Sequence, residues 1–138
     1  MRGYLLDTNI LSEVMKSQPD KGVINLLDGL ENVYISVLTI HEIYFGIECL
    51  NNSLRKQSLT NALEELTLTF ENNLLSFGQE EAKVSATMRS TLQKNGRQLH
   101  LADSMIAATA FTHGLTILTR NIKDFKGLQI TASNPFTS

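Results

Sequence analysis

The chain has 138 residues and a mass of 15.4 kDa, the usual size of one domain, so we expect a single domain spanning residues 1–138. The hydrophobic fraction of 42% and the charged fraction of 19% exclude a disordered chain, and the longest apolar stretches are far shorter than the roughly 20 residues that cross a bilayer. The formal net charge of -2 gives no overall basic field, so a nucleic acid would have to be bound by local cations or by a metal ion.

The first half of the chain predicts two units in which a strand is followed by a helix. Tyr4–Leu6 is an apolar run that ends at Asp7-Thr8-Asn9, residue types that accept hydrogen bonds from helix N-termini. Val33–Val37 is β-branched and aromatic, as strands are, and apolar residues then recur at helical spacing. These helix positions are Ile40, Ile43, Tyr44, Ile47 and Leu50.

The second half continues the alternation of helices and strands. The predicted elements, in chain order, are a helix over Leu59–Phe70, a strand at Leu74–Phe77, a helix over Gln79–Lys94 that Asn95-Gly96 ends, a helix over Leu101–Thr112, and strands at Leu115–Thr119 and Leu128–Ile130. The Leu101–Thr112 segment is apolar nearly all round, which is typical of a helix buried against a sheet. The alternation predicts an α/β fold with a parallel sheet of four or five strands and helices on both faces.

Acidic residues stand at one predicted edge of this sheet. Asp7 ends the first strand, Glu42 opens the helix after the second strand, and Asp103 opens the apolar helix. Asn121 and Asp124 follow the fourth predicted strand. Ligands of open α/β sheets bind outside the carboxyl ends of the strands, so these side chains are candidate functional groups.

Each of the three acids also has a structural explanation. Asp7 could cap the first helix, and Glu42 could belong to a capping box that begins at Thr39. Asp103 could be stabilised by the helix dipole, by about 0.3 to 1 kcal/mol. Together, however, three acids at one edge would repel one another and raise their pKa values unless a cation were present. Mg²⁺ prefers such oxygen ligands and can activate water and offset charge on a phosphodiester.

Three segments resemble the signature blocks of PIN-domain proteins, and are similar to the VapC and FitB toxins of bacterial toxin–antitoxin pairs. They are Leu5–Glu13, Val33–Ser36 through Glu42 to Gly46, and Ala102–Ala110, in the same order along nearly the whole chain. The resemblance implies a three-layer sandwich, an acidic pocket that holds Mg²⁺ or Mn²⁺, and endonucleolytic cleavage of RNA. It further implies a homodimer that assembles with a small DNA-binding antitoxin.

The resemblance also assigns roles at the pocket. Asp7 and Asp103 are expected to bind the metal, with Glu42 as a further ligand that holds or deprotonates the attacking water. Asp124 is expected to complete the catalytic set, because Asn121 stands where several relatives have Asp. The groups expected to orient carboxylates or water are Thr8, Asn9, Thr119 and Asn121. The cations that could contact RNA phosphates are Arg89, Lys94, Arg97 and Arg120.

The antitoxin is expected to lay an apolar helix in a groove lined by Val14, Leu27 and Tyr44, and to direct an Arg toward the acids. Alternatively, these three residues only fill the core. Two other functions remain open. A magnesium-dependent phosphatase would use Asp7 as nucleophile, although its motif has a second Asp where this chain has Asn9. A catalytically silent binding module would use the acids to receive a basic partner.

The N-terminal residues and the cysteine content predict a cytoplasmic location. Met1–Asp7 lacks the long apolar region of a secretory signal, and Cys49 is the single cysteine. Cys49 follows Ile47 in the apolar helical repeat, which predicts a buried thiol.

Overall fold

Five parallel strands form the sheet of the computed structural model, which describes residues 3–137. The elements, in chain order, are β1 (Gly3–Leu6), α1 (Thr8–Val14), α2 (Lys21–Asp28), β2 (Val33–Ser36), α3 (Val37–Glu48), α4 (Ser53–Thr69), β3 (Leu74–Leu75), α5 (Gln79–Lys94), α6 (Leu101–His113), β4 (Leu115–Leu118) and β5 (Ala132–Ser133). Short 3-10 turns lie at Glu71–Asn73 and Ile122–Phe125. The predicted α/β sandwich with a parallel sheet is confirmed.

The strand order is β3-β2-β1-β4-β5, so β1 lies at the centre of the sheet. The chain builds outward from β1 to β3 on one side and then crosses to β4 and β5 on the other. Leu5 pairs with Ile117 and Leu6 with Leu118 across the β1–β4 boundary. This boundary is a topological switch point, where open α/β sheets form a crevice at the carboxyl ends of their strands.

Alternate residues of the central strands pack into two cores, one on each face of the sheet. Leu5 and Ile117 belong to the core beneath α5 and α6, with Ile106 and Ala110. Leu6 and Leu118 belong to the opposite core, with Ile43 of α3 and other apolar residues of α1, α2 and α4. All four of these strand residues are buried, at no more than 1% exposure. The period-two alternation of a strand explains how one apolar run supplies both layers.

Helix α6 is the most deeply buried helix. Ala107, Ala108 and Ala110 have 0% exposure, and their small side chains let the helix lie close to the sheet. Gly114 ends the helix at a φ of 65°, a left-handed conformation that glycine adopts without a Cβ clash. No helix within residues 3–137 combines the length and apolarity that a membrane span requires.

The structure corrects four local expectations. Helix α2 was not predicted, although Asp20 caps it by accepting hydrogen bonds from Gly22 and Val23. The last strand lies at Ala132–Ser133 and not at the predicted Leu128–Ile130. The apolar side chains of Leu128 and Ile130 pack against the core from a loop. Cys49 is exposed where α3 ends.

The fourth correction concerns Glu42. Helix α3 begins directly after β2, where the Ser36 hydroxyl accepts a 3.0 Å hydrogen bond from the Leu38 amide. Glu42 is therefore the sixth residue of the helix and does not open it, and the alternative explanation by a capping box that begins at Thr39 is excluded. Because Glu42 does not cap the helix, its carboxylate is available for a functional role.

Candidate active site

Four carboxylates come from four different elements. Asp7 immediately follows β1, Glu42 lies in the second turn of α3, Asp103 is the third residue of α6, and Asp124 lies in the 3-10 turn after β4. Each carboxylate acts electrostatically on at least one other: Asp124 on Asp7 and Asp103, and Asp7 on Glu42 and Asp103. The fold therefore brings together acids that are up to 117 positions apart in the sequence, from Asp7 to Asp124.

Asp7 is the most constrained of the four acids. Its Oδ1 accepts a 2.8 Å hydrogen bond from the Thr8 amide, and its Oδ2 accepts one of 2.9 Å from the Thr119 hydroxyl and one of 3.3 Å from Asn9 Nδ2. Burial to 9% exposure raises the pKa of Asp7, and these hydrogen bonds oppose that rise. The carboxylate is therefore held in one orientation at the centre of the switch point.

The residues around Asp7 form a polar network that joins β1 to β4. Asn9 Oδ1 accepts a 3.0 Å hydrogen bond from the Arg120 amide, and Asn9 Nδ2 lies 3.3 Å from Thr119 Oγ1. The Asn121 amide donates to Thr119 Oγ1 at 3.1 Å. Asn9 and Thr119 thus contact the carboxylate directly, whereas Asn121 donates to Thr119 from its backbone amide and its side chain is exposed.

Glu42 and Asp103 share the electrostatics of this centre. Burial raises the pKa of Glu42, and the Asp7 charge raises it further. Burial also raises the pKa of Asp103, followed by the charges of Asp124 and Asp7, while His100 lowers it. Asp124, rather than Asn121, supplies the fourth negative charge of the site. These carboxylates therefore repel one another, as expected of a set that binds a cation.

A divalent cation fits this set chemically. All of the donors are carboxylate or other oxygens, the ligands that Mg²⁺ and Mn²⁺ prefer. Among the described residues 3–137, no three His, Cys, Asp or Glu side chains are grouped closely enough to hold one metal ion. Magnesium commonly binds through one or two carboxylates and retains several waters, so a spread set of acids is compatible with it.

Basic residues border one side of the acids. Arg97, Lys123 and Lys126 line the same cleft as Asp103 and Asp124. The two lysines are exposed and were not singled out from the sequence, although they flank Asp124 in the chain and this proximity was a usable signal. A cleft with both signs of charge can bind a phosphate backbone beside a metal site.

The other predicted cations have different surroundings. Arg89 and Lys94 are exposed on α5. The Arg120 guanidinium lies 4.3 Å from the centre of the Phe136 ring, a cation–π contact. The Arg97 guanidinium donates hydrogen bonds to backbone carbonyls, including those of Lys123 and Asp124.

A separate part of the surface, between α3 and α4, is apolar. Ile40, Tyr44, Leu63 and Leu68 line a groove between α3 and α4, and Tyr44 is 46% exposed. Val14 and Leu27, predicted to share a groove with Tyr44, are half-buried and pack against the core. The groove thus contains one of the three predicted residues.

The fold and the site define a class: an α/β sandwich with a buried Asp after its central strand and further acids at the switch point. A family model described as "PIN domain" matches residues 4–129. This chain belongs to the PIN-domain family.

Known proteins resemble the chain along nearly its whole length. "Toxin FitB" of Neisseria gonorrhoeae is 37% identical over 135 residues, which cover 96% of this chain and 97% of that protein. "VapC ribonuclease Y4jK" of Sinorhizobium fredii is 30% identical over 135 residues, which cover 96% of each. The crystal structure of FitAcB from Neisseria gonorrhoeae superimposes with a TM-score of 0.89 at 36% identity, and covers 96% of this chain and 97% of that one.

Proposed function

We propose that this chain is a Mg²⁺- or Mn²⁺-dependent endoribonuclease and the toxin of a type II toxin–antitoxin pair. The observation that supports it most is the set of Asp7, Glu42, Asp103 and Asp124 around the switch point, each within electrostatic range of others. The relatives named as a toxin and as a ribonuclease support the same assignment. We further propose that the single domain acts in the cytoplasm.

Asp7 and Asp103 are the proposed metal ligands, with Glu42 beside them. Asp7 suits this role because three hydrogen bonds fix its carboxylate, so little ordering remains to be done when a ligand binds. A bound divalent ion supplies positive charge that offsets the charge developing on the phosphodiester. Asp124 adds negative charge beside Asp103 and supports the same cation.

Glu42 is the proposed base. Its raised pKa makes it a better proton acceptor than an ordinary glutamate at neutral pH. Glu42 orients a water and takes one of its protons as the water oxygen bonds to phosphorus. The opposite phosphorus–oxygen bond breaks, and the leaving oxygen takes a proton from solvent. The products are two shorter RNA strands.

A small antitoxin is the proposed partner. A nuclease with an accessible acidic site would damage its own cell, so a partner must cover that site. The apolar groove of Ile40, Tyr44, Leu63 and Leu68 lies on the same helix as Glu42 and fits an apolar helix. An Arg from that partner could pair with the repelling carboxylates and compete with the metal.

The function is tested by incubating the purified full chain with a labelled RNA, in Mg²⁺ and with excess EDTA. We expect internal cuts in Mg²⁺ and none in EDTA. Phosphate released from a monoester without internal cuts would instead indicate the phosphatase. Intact RNA under both conditions, with binding of a basic peptide to the acids, would indicate the silent binding module.

A further inference from the structure

One arginine connects the end of α5 to the turn that contains Asp124. The Arg97 guanidinium donates hydrogen bonds to the backbone carbonyls of Lys123 at 3.0 Å, of Asp124 at 3.2 Å, and of Lys126. These carbonyls belong to the 3-10 turn Ile122–Phe125 and to the residue after it. Hydrogen bonds from an ionised donor are roughly twice as strong as neutral ones. A single side chain therefore holds this turn at three points.

The backbone of Arg97 is itself fixed to helix α5. The Gly96 amide donates to the Gln93 carbonyl at 3.0 Å, and the Arg97 amide donates to the Leu92 carbonyl at 2.9 Å. Gly96 has a φ of 79°. These are the two hydrogen bonds and the left-handed residue of a Schellman motif. The guanidinium therefore extends from a rigid helix end.

The turn is anchored on its other side by Phe125. This side chain is 3% exposed and packs in the core beneath α5 and α6. Asp124 lies between the two anchors, and lines the same cleft as Asp103 and Arg97. The structure thus fixes the backbone of Asp124 by burial on one side and by the guanidinium on the other.

We propose that Arg97 is a positioning residue that holds the Ile122–Phe125 turn so that Asp124 stays beside Asp103 in the acidic site. The inference rests on the proposed nuclease function, in which Asp124 supports the bound cation. An alternative role for Arg97 is direct contact with an RNA phosphate. The two roles predict different results when Arg97 and Asp124 are changed together.

The test compares Arg97→Gln, Asp124→Asn and the double variant with the unchanged full chain. Lys21→Gln is the matched control, because it removes one positive charge from an exposed residue of α2, a helix that packs on the opposite face of the sheet. Hydrogen exchange of the amides of residues 122–127 reports on the turn, and the rise in melting temperature with Mn²⁺ reports on metal binding. The Mg²⁺ concentration that gives half-maximal RNA cleavage reports on the working site.

For Arg97→Gln we expect faster exchange at residues 122–127, a smaller Mn²⁺ shift, and about a 10- to 100-fold higher Mg²⁺ requirement. Arg97→Lys should lie close to Arg97→Gln, because an ammonium cannot reproduce the planar fork, and it replaces Arg97→Gln if that variant does not fold. The double variant should lose no more RNA cleavage than Asp124→Asn alone, because both changes remove the contribution of the Asp124 carboxylate. Lys21→Gln should match the unchanged chain.

Unchanged exchange at residues 122–127 in Arg97→Gln would overturn the proposal. A second result would also overturn it and favour an RNA phosphate contact. In that result the double variant loses RNA cleavage by the product of the two single losses, and RNA binding by Arg97→Gln depends less on salt. If the unchanged chain cleaves no RNA, the nuclease proposal fails separately, and the exchange and Mn²⁺ measurements still decide the role of Arg97.

Discussion

The Asp7 carboxylate is buried, and burial alone favours its neutral form. Hydrogen bonds from Thr8, Asn9 and Thr119 favour the ionised form and also fix its orientation. The same Thr119 hydroxyl accepts a hydrogen bond from the Asn121 amide, so this one side chain links Asp7 to the loop after β4. Thr119 therefore orients Asp7 and shapes the loop that leads to Asp124.

Thr119→Val tests this link, because it removes the hydroxyl at nearly the same volume. Thr119 is 0% exposed, so Asp7 Oδ2 would lose a donor that water cannot replace. We expect cleavage to fall by about 10- to 100-fold, and the free energy of unfolding to fall by about 1–3 kcal/mol. Thr116→Val, in strand β4 but away from the site, is the control. Equal effects of the two substitutions would contradict the assigned role of Thr119.

The raised pKa of Asp103 predicts that this acid destabilises the metal-free protein. Its pKa in the folded state lies above the ordinary aspartate value of 3.8, so the folded state binds the proton more tightly than the unfolded chain does. Stability therefore falls as pH rises from about 3.8 through the folded pKa, and stays lower at neutral pH.

Asp103→Asn removes this penalty at neutral pH. We expect a higher melting temperature than the unchanged protein at pH 7 in EDTA, and no such difference at a pH below 3.8, where the carboxyl is protonated in both states. Saturating Mg²⁺ should reduce the difference at pH 7, because the cation stabilises only the unchanged site. Glu64→Gln on the exposed side of α4 is the control. A lower melting temperature for Asp103→Asn at pH 7 would refute repulsion at this site.

Helix α6 connects the site to the core, since Asp103 lies in its first turn and its small residues face the sheet. Ala110→Leu would insert volume where the exposed fraction is zero. We expect overpacking to reduce the free energy of unfolding by about 1–3 kcal/mol in urea titrations. Ala102→Leu, on the exposed side of the same helix, should change it little. If both substitutions were neutral, close packing of α6 would not be the reason for its alanines.

Elements whose signals are local could be predicted from the sequence. The polar helix Gln79–Lys94 has the predicted bounds, and the left-handed residue after it is Gly96. Strand β5 was misplaced, because side-chain burial at Leu128 and Ile130 does not require strand pairing. The start of α3 lies earlier than predicted, because β2 passes into α3 without a loop and Ser36 caps the helix.

The candidate site could be predicted only in part. Asp7, Glu42 and Asp103 were identified from their places after strands and at helix starts, and from a family resemblance. Their convergence depends on the strand order, which no local pattern encodes. The role of the Thr119 hydroxyl depends on the same pairing of β1 with β4. The hydrogen bonds of Arg97 to backbone carbonyls could not be predicted, because those carbonyls lie 26 to 29 residues later in the chain.

At the scale of the whole molecule, the formal net charge of -2 conceals a local asymmetry. Arg97, Lys123 and Lys126 line one cleft with Asp103 and Asp124, and a separate apolar groove lies between α3 and α4. The proposed RNA contacts and the proposed antitoxin helix would therefore use different surfaces of the chain.

Co-expression with the product of the neighbouring gene tests the partner. We expect a complex that leaves RNA intact, and cleavage once the partner has been removed. Tyr44→Asp should weaken the complex, because it places a charge in the apolar groove, and should leave cleavage by the free chain intact. Full cleavage by the intact complex, or normal growth of cells that express this chain alone, would contradict the toxin assignment.

The most direct test of the central claim is cleavage of one labelled RNA by the unchanged chain and by Asp7→Asn, purified in parallel and assayed in Mg²⁺. The amide keeps the volume of the carboxylate and removes its charge, so the melting profile should still show a folded protein. The account predicts internal cuts by the unchanged chain and none by Asp7→Asn. Equal cleavage by the two proteins would contradict it.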